Sequence, residues 1–202
     1  ITKVMTAIIA IEEGNLSDAV TANDDVVIHE AGASMAGIKP GDTFTLEQLL
    51  YGLMIPSGND AANAIADHIA GSTDAFVEKM NAKAKELGAT HTHFVNANGL
   101  HSTDHYTTAY DLYLIFNECI KHDDFVKIIM EKSHTAKITG NDGTVRSITW
   151  EPTNFYATGD AKKPDNVTVI GGKTGTTDDA GACLSLLSKD LYGNPYLSII
   201  LH

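Results

Sequence analysis

The chain has 202 residues, 43% of them hydrophobic and 20% charged, an ordinary globular composition that excludes disordered and collagen-like classes. A formal net charge of −12, with Arg146 as the sole arginine, repels phosphate backbones and leaves no arginine cluster to grip them, so nucleic acid is not an expected partner. No run of eighteen apolar residues occurs, so no membrane-crossing helix is expected.

In chain order, Ile1 to Glu13 reads as a mostly apolar, buried helix ending at Gly14, a C′ glycine of the kind that commonly turns left-handed. A loop-rich stretch runs on through Pro40-Gly41. The pattern Thr45-Leu-Glu-Gln48 is a capping box, opening an amphipathic helix through about Leu53. Pro56-Ser57-Gly58 breaks that helix, and the Ala-rich segment Asn59 to Ala70 starts another, closed by Gly71. A further helix spans about Asp74 to Leu87, with Phe76, Val77, Met80 and Ala84 on one face and Gly88 as its stop. Thr108 to Lys121 and Asp123 to Glu131 complete a helical block.

The pattern then changes to strands. His134 to Thr139 and Thr144 to Trp150 flank a turn at residues 140–143. After a polar loop from Glu151 to Asn166, strands are expected at Val167–Lys173, Ala182–Lys189 and Pro195–His202, joined by turns as an antiparallel meander. The order predicts an α+β fold, an antiparallel sheet packed with helices plus an all-helical lobe. The expected division is a helical lobe at about 16–131 and a helix-plus-sheet lobe at about 1–15 and 132–202, within one truncated domain. Ile1 falls inside a predicted helix and His202 inside a predicted strand, so both ends read as cuts in a longer chain. Cys119 and Cys183 lie in apolar stretches and are expected to be buried free thiols, with one disulfide as the alternative.

Three clusters combine amine, hydroxyl and amide groups near predicted element ends: Thr2-Lys3, Ser57-Gly58-Asn59 and Lys173-Thr174-Gly175, the last at a strand end. Each alone is a weak signal; their order and placement are far more specific. With the flanking text Thr2-Lys-Val-Met-Thr6, Ser57-Gly-Asn-Asp-Ala61, Phe94 to Leu100, His105-Tyr-Thr-Thr-Ala109 and Gly172-Lys-Thr-Gly-Thr-Thr177, followed by Ala180-Gly181, the chain resembles the β-lactamase/transpeptidase-like superfamily. Its nearest resemblance is to the low-molecular-mass penicillin-binding proteins, the D-alanyl-D-alanine carboxypeptidases. That likeness implies a serine D,D-carboxypeptidase that removes the terminal D-alanine of peptidoglycan stem peptides through an acyl-enzyme. β-Lactam antibiotics would enter the same first step and stall. It implies no metal and no cofactor, an extracytoplasmic location, and room for a membrane anchor in a segment outside these residues.

In the family the first motif is Ser-x-x-Lys, so the nucleophilic serine is expected immediately before Ile1. Either the chain is cut there, or that serine carries a covalent adduct and is left out of the residue sequence; the coincidence with an acylatable position favours the second. Serine needs a base within hydrogen-bond reach, and a lysine three residues on shares its helix face. Lys3 is therefore the expected base, kept neutral by burial and by the charge of Lys173. The resemblance gives Ser57 a proton relay to the leaving amine and gives Asn59 a hold on Lys3 and a substrate amide. By spacing alone, plain N-capping by Ser57 and Asn59 is the better account. Asp60 reads as a first-turn acid with a structural role.

The likeness also places Lys173, Thr174 and Thr176 around the substrate's terminal carboxylate. Gly175 would let the substrate backbone approach. The Thr176 backbone N–H would form an oxyanion hole with that of the serine, each donor contributing about 3–4 kcal/mol. The arginine that binds this carboxylate in some relatives has no counterpart in Arg146, and is expected beyond His202. His91 and His93 are expected to be surface residues, because no acid or cysteine cluster accompanies them. His101 and His105 lie near a loop bordering the cleft, with no catalytic part.

Two alternatives stand beside the peptidase. A class A β-lactamase would require Ser-Asp-Asn where this chain has Ser57-Gly58-Asn59, and a deacylating glutamate for which Glu151 is the lone candidate. A non-enzymatic peptidoglycan- or β-lactam-binding module on the same fold is the other.

Overall fold

The computed structural model describes residues 1–202. Helix α1 (Lys3–Glu13) is its centre: every residue from Lys3 to Ala10 is buried. A helix apolar on all sides belongs inside a core. Val4, Met5, Ile8 and Ile9 meet the side chains of α2 (Leu46–Met54), α3 (Asn59–Ala70), α4 (Thr73–Glu86), α5 (Ala109–Cys119) and α6 (Asp123–Met130) in one continuous cluster. The two polar side chains on this stretch, Lys3 and Thr6, share a face and need partners there. They find them in successive carbonyls of one loop, Thr6 Oγ1 donating to Ala97 O (2.6 Å) and Lys3 Nζ to Asn98 O (2.6 Å).

Most helix boundaries follow their sequence signals. The capping box forms in full, Thr45 Oγ1 accepting from the Gln48 N–H and Gln48 Oε1 from the Thr45 N–H. Gly71 and Gly88 adopt the left-handed backbone at φ +79. Gly14 does not. Its φ is −97, and it is glycine for a steric reason, because a Cβ there would lie 2.3 Å from Leu46 Cδ2 and 2.7 Å from Ala10 O.

The strands form two antiparallel sheets. Strands β5 (Thr168–Thr177), β6 (Gly181–Lys189) and β7 (Pro195–Ile200) make the expected meander. Strands β3 (His134–Thr139) and β4 (Val145–Trp150) belong to the other sheet, in the order β1-β2-β3-β4, with β1 (Ala19–Thr21) and β2 (Thr43–Thr45). These two three-residue strands lie in the loop-rich stretch at the start of the expected helical lobe, and β2 meets β3 at Thr43 and Thr139, tying residues 19–45 to residues 134–150. A short helix α7 (Phe155–Thr158), capped by Asn154, interrupts the polar loop.

The Lys173-Thr174-Gly175 cluster lies within β5 and not at its end. Lys173 pairs with Ser185, Thr174 with Leu184 and Gly175 with Cys183, and pairing continues to Thr177. Gly171 lets helix α6 close against this strand, since a Cβ there would fall 1.9 Å from Ile129 O. Both cysteines are free; Cys119 is buried with Sγ facing Val4 O, while Cys183 is only half-buried on β6, contrary to expectation.

Candidate active site

Three elements converge. Helix α1 presents Lys3, the turn between α2 and α3 presents Ser57-Gly58-Asn59, and β5 presents Lys173. Lys3 Nζ donates to Asn59 Oδ1 at 2.7 Å, and Lys173 Nζ donates to Ser57 Oγ at 2.8 Å and to Thr174 O at 2.7 Å. The turn is thus gripped at both ends by a lysine, and Lys3, Asn59 and Lys173 are all buried.

Burial penalises the ammonium form. For Lys3 it brings the pKa from 10.5 to about 8, with Asp60 pulling upward. For Lys173 burial and then the Lys3 charge hold it well below the ordinary lysine range. A lysine near 8 is about one-tenth neutral at pH 7, several hundred times the neutral share of an ordinary lysine, and a neutral amine is what a general base requires.

The turn itself is tightly made. Ser57 has φ +62, a costly backbone for a serine that the surrounding contacts maintain. Gly58 has no room for a side chain: a Cβ there would lie 2.7 Å from Ala36 Cβ, 2.8 Å from Asp60 Oδ1 and 2.8 Å from Gly52 O. An aspartate at this position, as Ser-Asp-Asn demands, does not fit the packing. Asp60 does more than favour a helix dipole. Its fully buried carboxylate accepts backbone N–H bonds from Ala36, Gly37, Ile38 and Ala61, lashing the 36–38 loop to the start of α3.

Thr174 is half-buried, with its Oγ1 against Thr153 Oγ1, and Thr176 is exposed. Gly175 backs onto the start of α1, where an added Cβ would come within 2.8 Å of Ile1 N. Its bareness therefore seats α1 against β5. Glu151 is exposed and accepts from Ser133 Oγ at 3.1 Å, with no bond to the motif residues. Arg146 pairs with the buried carboxylate of Asp42 and is a structural cation. His91 is exposed, and His93 Nδ1 faces Asp104 O at 2.7 Å. His101 lies 3.3 Å from the Asp179 carboxylate.

Two partners escaped the sequence reading. Asn98 contributes a backbone carbonyl to Lys3, which no side-chain pattern betrays. The segment around it is stiff, with Asn96 bonding Leu100 O and the Gly99 N–H, and Asn98 Nδ2 bonding Asn63. Thr153 joins the turn to the strand, its N–H donating to Ile55 O and its hydroxyl meeting Thr174.

Residues 1–194 match the family model for D-alanyl-D-alanine carboxypeptidases. A Bacillus subtilis D-alanyl-D-alanine carboxypeptidase, DacF, is 35% identical over 199 residues, covering 93% of this chain and 46% of that protein. A Streptomyces K15 D-alanyl-D-alanine carboxypeptidase is 35% identical over 91% of this chain and 65% of its own length. The chain thus spans roughly half to two thirds of such relatives, from 46% to 65%. A solved structure, the Streptomyces K15 DD-transpeptidase, superposes with a TM-score of 0.88 at 33% identity, covering 99% of this chain and 78% of that one. That α+β penicillin-binding fold agrees with the two sheets and helical block seen here. On the extent of these matches, the chain belongs to the D-alanyl-D-alanine carboxypeptidase family.

Proposed function

We propose that this site carries out serine-dependent cleavage of the terminal D-Ala-D-Ala bond of peptidoglycan stem peptides, with the nucleophilic serine joined to Ile1. One observation carries the reading: two buried lysines bracket the Ser57-Gly58-Asn59 turn through direct hydrogen bonds, Lys3 to Asn59 and Lys173 to Ser57. Surface lysines at unrelated places would not be desolvated together around one turn.

The neutral Nζ of Lys3 takes the serine proton as the hydroxyl attacks the penultimate D-alanine carbonyl. Asn59 and the Asn98 carbonyl aim that nitrogen. The Thr176 N–H and the serine's own N–H receive the negative charge of the tetrahedral oxygen. The C–N bond then breaks, and the proton taken up by Lys3 passes to the departing amine through Ser57, whose hydroxyl is poised by Lys173, leaving Lys3 neutral again. Lys173, Thr174 and Thr176 face the free carboxylate of the substrate. Water then attacks the ester as Lys3 takes its proton, and the serine C–O bond breaks with that proton returned to the serine oxygen, releasing the shortened peptide and leaving Lys3 neutral.

A β-lactam would acylate the same serine. No metal or cofactor takes part in these steps. A solved relative is named a transpeptidase, and the acyl-enzyme can equally pass to an amine in place of water. The two reactions share every residue above and differ in the acceptor. A peptidoglycan substrate would put the protein's work outside the cytoplasmic membrane.

The deciding experiment measures D-alanine release from a D-Ala-D-Ala peptide by the full-length protein beside Lys3→Ala. Release that falls at least ~10²-fold in the variant supports the assignment. Equal release by both removes Lys3 as base. Acylation by a β-lactam with no peptide turnover would favour the binding-module reading.

A further inference from the structure

The carbonyl of Asn98 accepts from Lys3, so whatever fixes that carbonyl also fixes the proposed base. It belongs to the segment from Phe94 to Tyr106. Asn81 clamps the segment's start, exchanging bonds with both the N–H and the carbonyl of Phe94. His93 and Tyr106 close its ends through a pair of backbone bonds. Asn98 Nδ2 donates to Asn63 Oδ1 on α3, and a further grip comes from His105.

The His105 ring sits edge-on to Phe94, with centroids 5.6 Å apart. The backbone N–H of Val95 points at Nδ1 from 3.2 Å. A backbone N–H can only donate, so Nδ1 is a bare acceptor and a neutral ring carries its proton on Nε2. That atom lies 2.7 Å from Thr2 Oγ1, to which it donates. Thr2 in turn rests on Gly99, which has φ +85; a Cβ there would lie 2.9 Å from the Thr2 Cβ and Oγ1. The start of α1 is therefore keyed to this segment twice, through Thr2 to His105 and Gly99, and through Lys3 and Thr6 to two adjacent carbonyls.

We infer that His105 is a positioning residue for the base: as the neutral Nε2–H tautomer it locks Thr2 to the 94–106 segment and so holds the Asn98 carbonyl on Lys3. The inference rests on the reading of Lys3 given above. His105 touches none of the reacting groups itself. Burial, and then the neighbouring His93 and His101, lower its pKa, so the required tautomer persists across the neutral range.

The test uses the full-length protein and two variants, His105→Asn and Thr2→Val. The first loses the donor to Thr2, and the second keeps the shape of Thr2 without its hydroxyl. Two readouts are taken: the Lys3 titration by NMR of its side-chain carbon, identified by its loss in Lys3→Ala, and the acylation rate with a chromogenic cephalosporin. Release of the Asn98 contact admits water to Lys3, so its pKa moves up from about 8 in both variants. The expected size is about one unit, with acylation at pH 7 slower by about tenfold. The double variant is no worse than the worse single one, as expected for two ends of one bond. An unshifted Lys3 titration in Thr2→Val with acylation within about twofold of the parent overturns the inference. If His105→Asn does not fold, Thr2→Val alone decides. If the unaltered protein is never acylated, the proposed function falls, yet the Lys3 titration still rules on His105.

Discussion

Lys173 Nζ donates to Ser57 Oγ across 2.8 Å, joining the middle of a strand to a turn held at φ +62. The bond holds Ser57 in place and leaves the serine hydroxyl free to pass its own proton onward. Ser57→Ala keeps the backbone and removes that oxygen. Acylation by a β-lactam, followed by stopped flow, is expected to slow by about 10²-fold or more. The buried lysine loses an acceptor, so denaturant melts should show a loss of about 1–3 kcal/mol.

The desolvation of Lys3 makes acylation and stability rise together with pH. Acylation rises with pH as Lys3 loses its proton around 8. Stability also rises, because between about 8 and the ordinary 10.5 the unfolded chain binds the Lys3 proton and the folded one does not. Over that window Lys3 alone adds about 3 kcal/mol to unfolding. Urea titrations of the parent and Lys3→Met across this range check the sign: the Lys3 share of the slope vanishes in the variant.

Gly58→Asp writes the β-lactamase-type Ser-Asp-Asn into the turn. The Cβ meets Ala36, Asp60 and Gly52 O, all within 2.8 Å, so the 36–38 loop must move. A destabilisation of at least about 1–3 kcal/mol is expected, with slower acylation and no gain in β-lactam hydrolysis. Calorimetry and a nitrocefin turnover assay read both.

Thr153→Val removes the hydroxyl facing Thr174 while keeping its bulk. If Thr174 holds the substrate carboxylate, KM for a D-Ala-D-Ala peptide should rise about 2–10-fold with kcat little changed, the value of one neutral hydrogen bond. Steady-state kinetics separate the two.

Arg146→Ala strands the buried Asp42 carboxylate, which Arg146 grips with both terminal nitrogens. A loss of about 3–5 kcal/mol is expected in thermal or chemical melts. Acylation measured well below the melting temperature should stay within about twofold of the parent, since Arg146 lies outside the carboxylate-binding set.

Where a single residue type governs local geometry, the sequence was readable. Thr45 and Gln48 announce a capping box, and Gly71 and Gly88 mark left-handed stops. Lys3, Asn59 and Lys173 stood out through the order of the three clusters and the family resemblance, since each alone is a weak signal and spacing alone favoured plain N-capping for Asn59. Strands β1 and β2 were not readable, because three residues are too few for alternation and their partners lie elsewhere in the chain. Residues 174–177 looked like a strand end for a similar reason. Gly175 weakens the local preference, but pairing with Cys183 and Leu184 outweighs it. The Asn98 carbonyl is a backbone group, so its role follows only from the path of the loop. Gly14 was assigned a left-handed backbone, when what it satisfies is the bulk of Leu46.

Helix α1, sealed on every side from Lys3 to Ala10, has a consequence for how this protein fails. A base mounted on a peripheral loop could be lost to fraying while the rest of the molecule endured. Here the amides around Lys3, the proposed base, should be among the last to exchange with heavy water, and heat should extinguish β-lactam labelling and circular dichroism in a single transition.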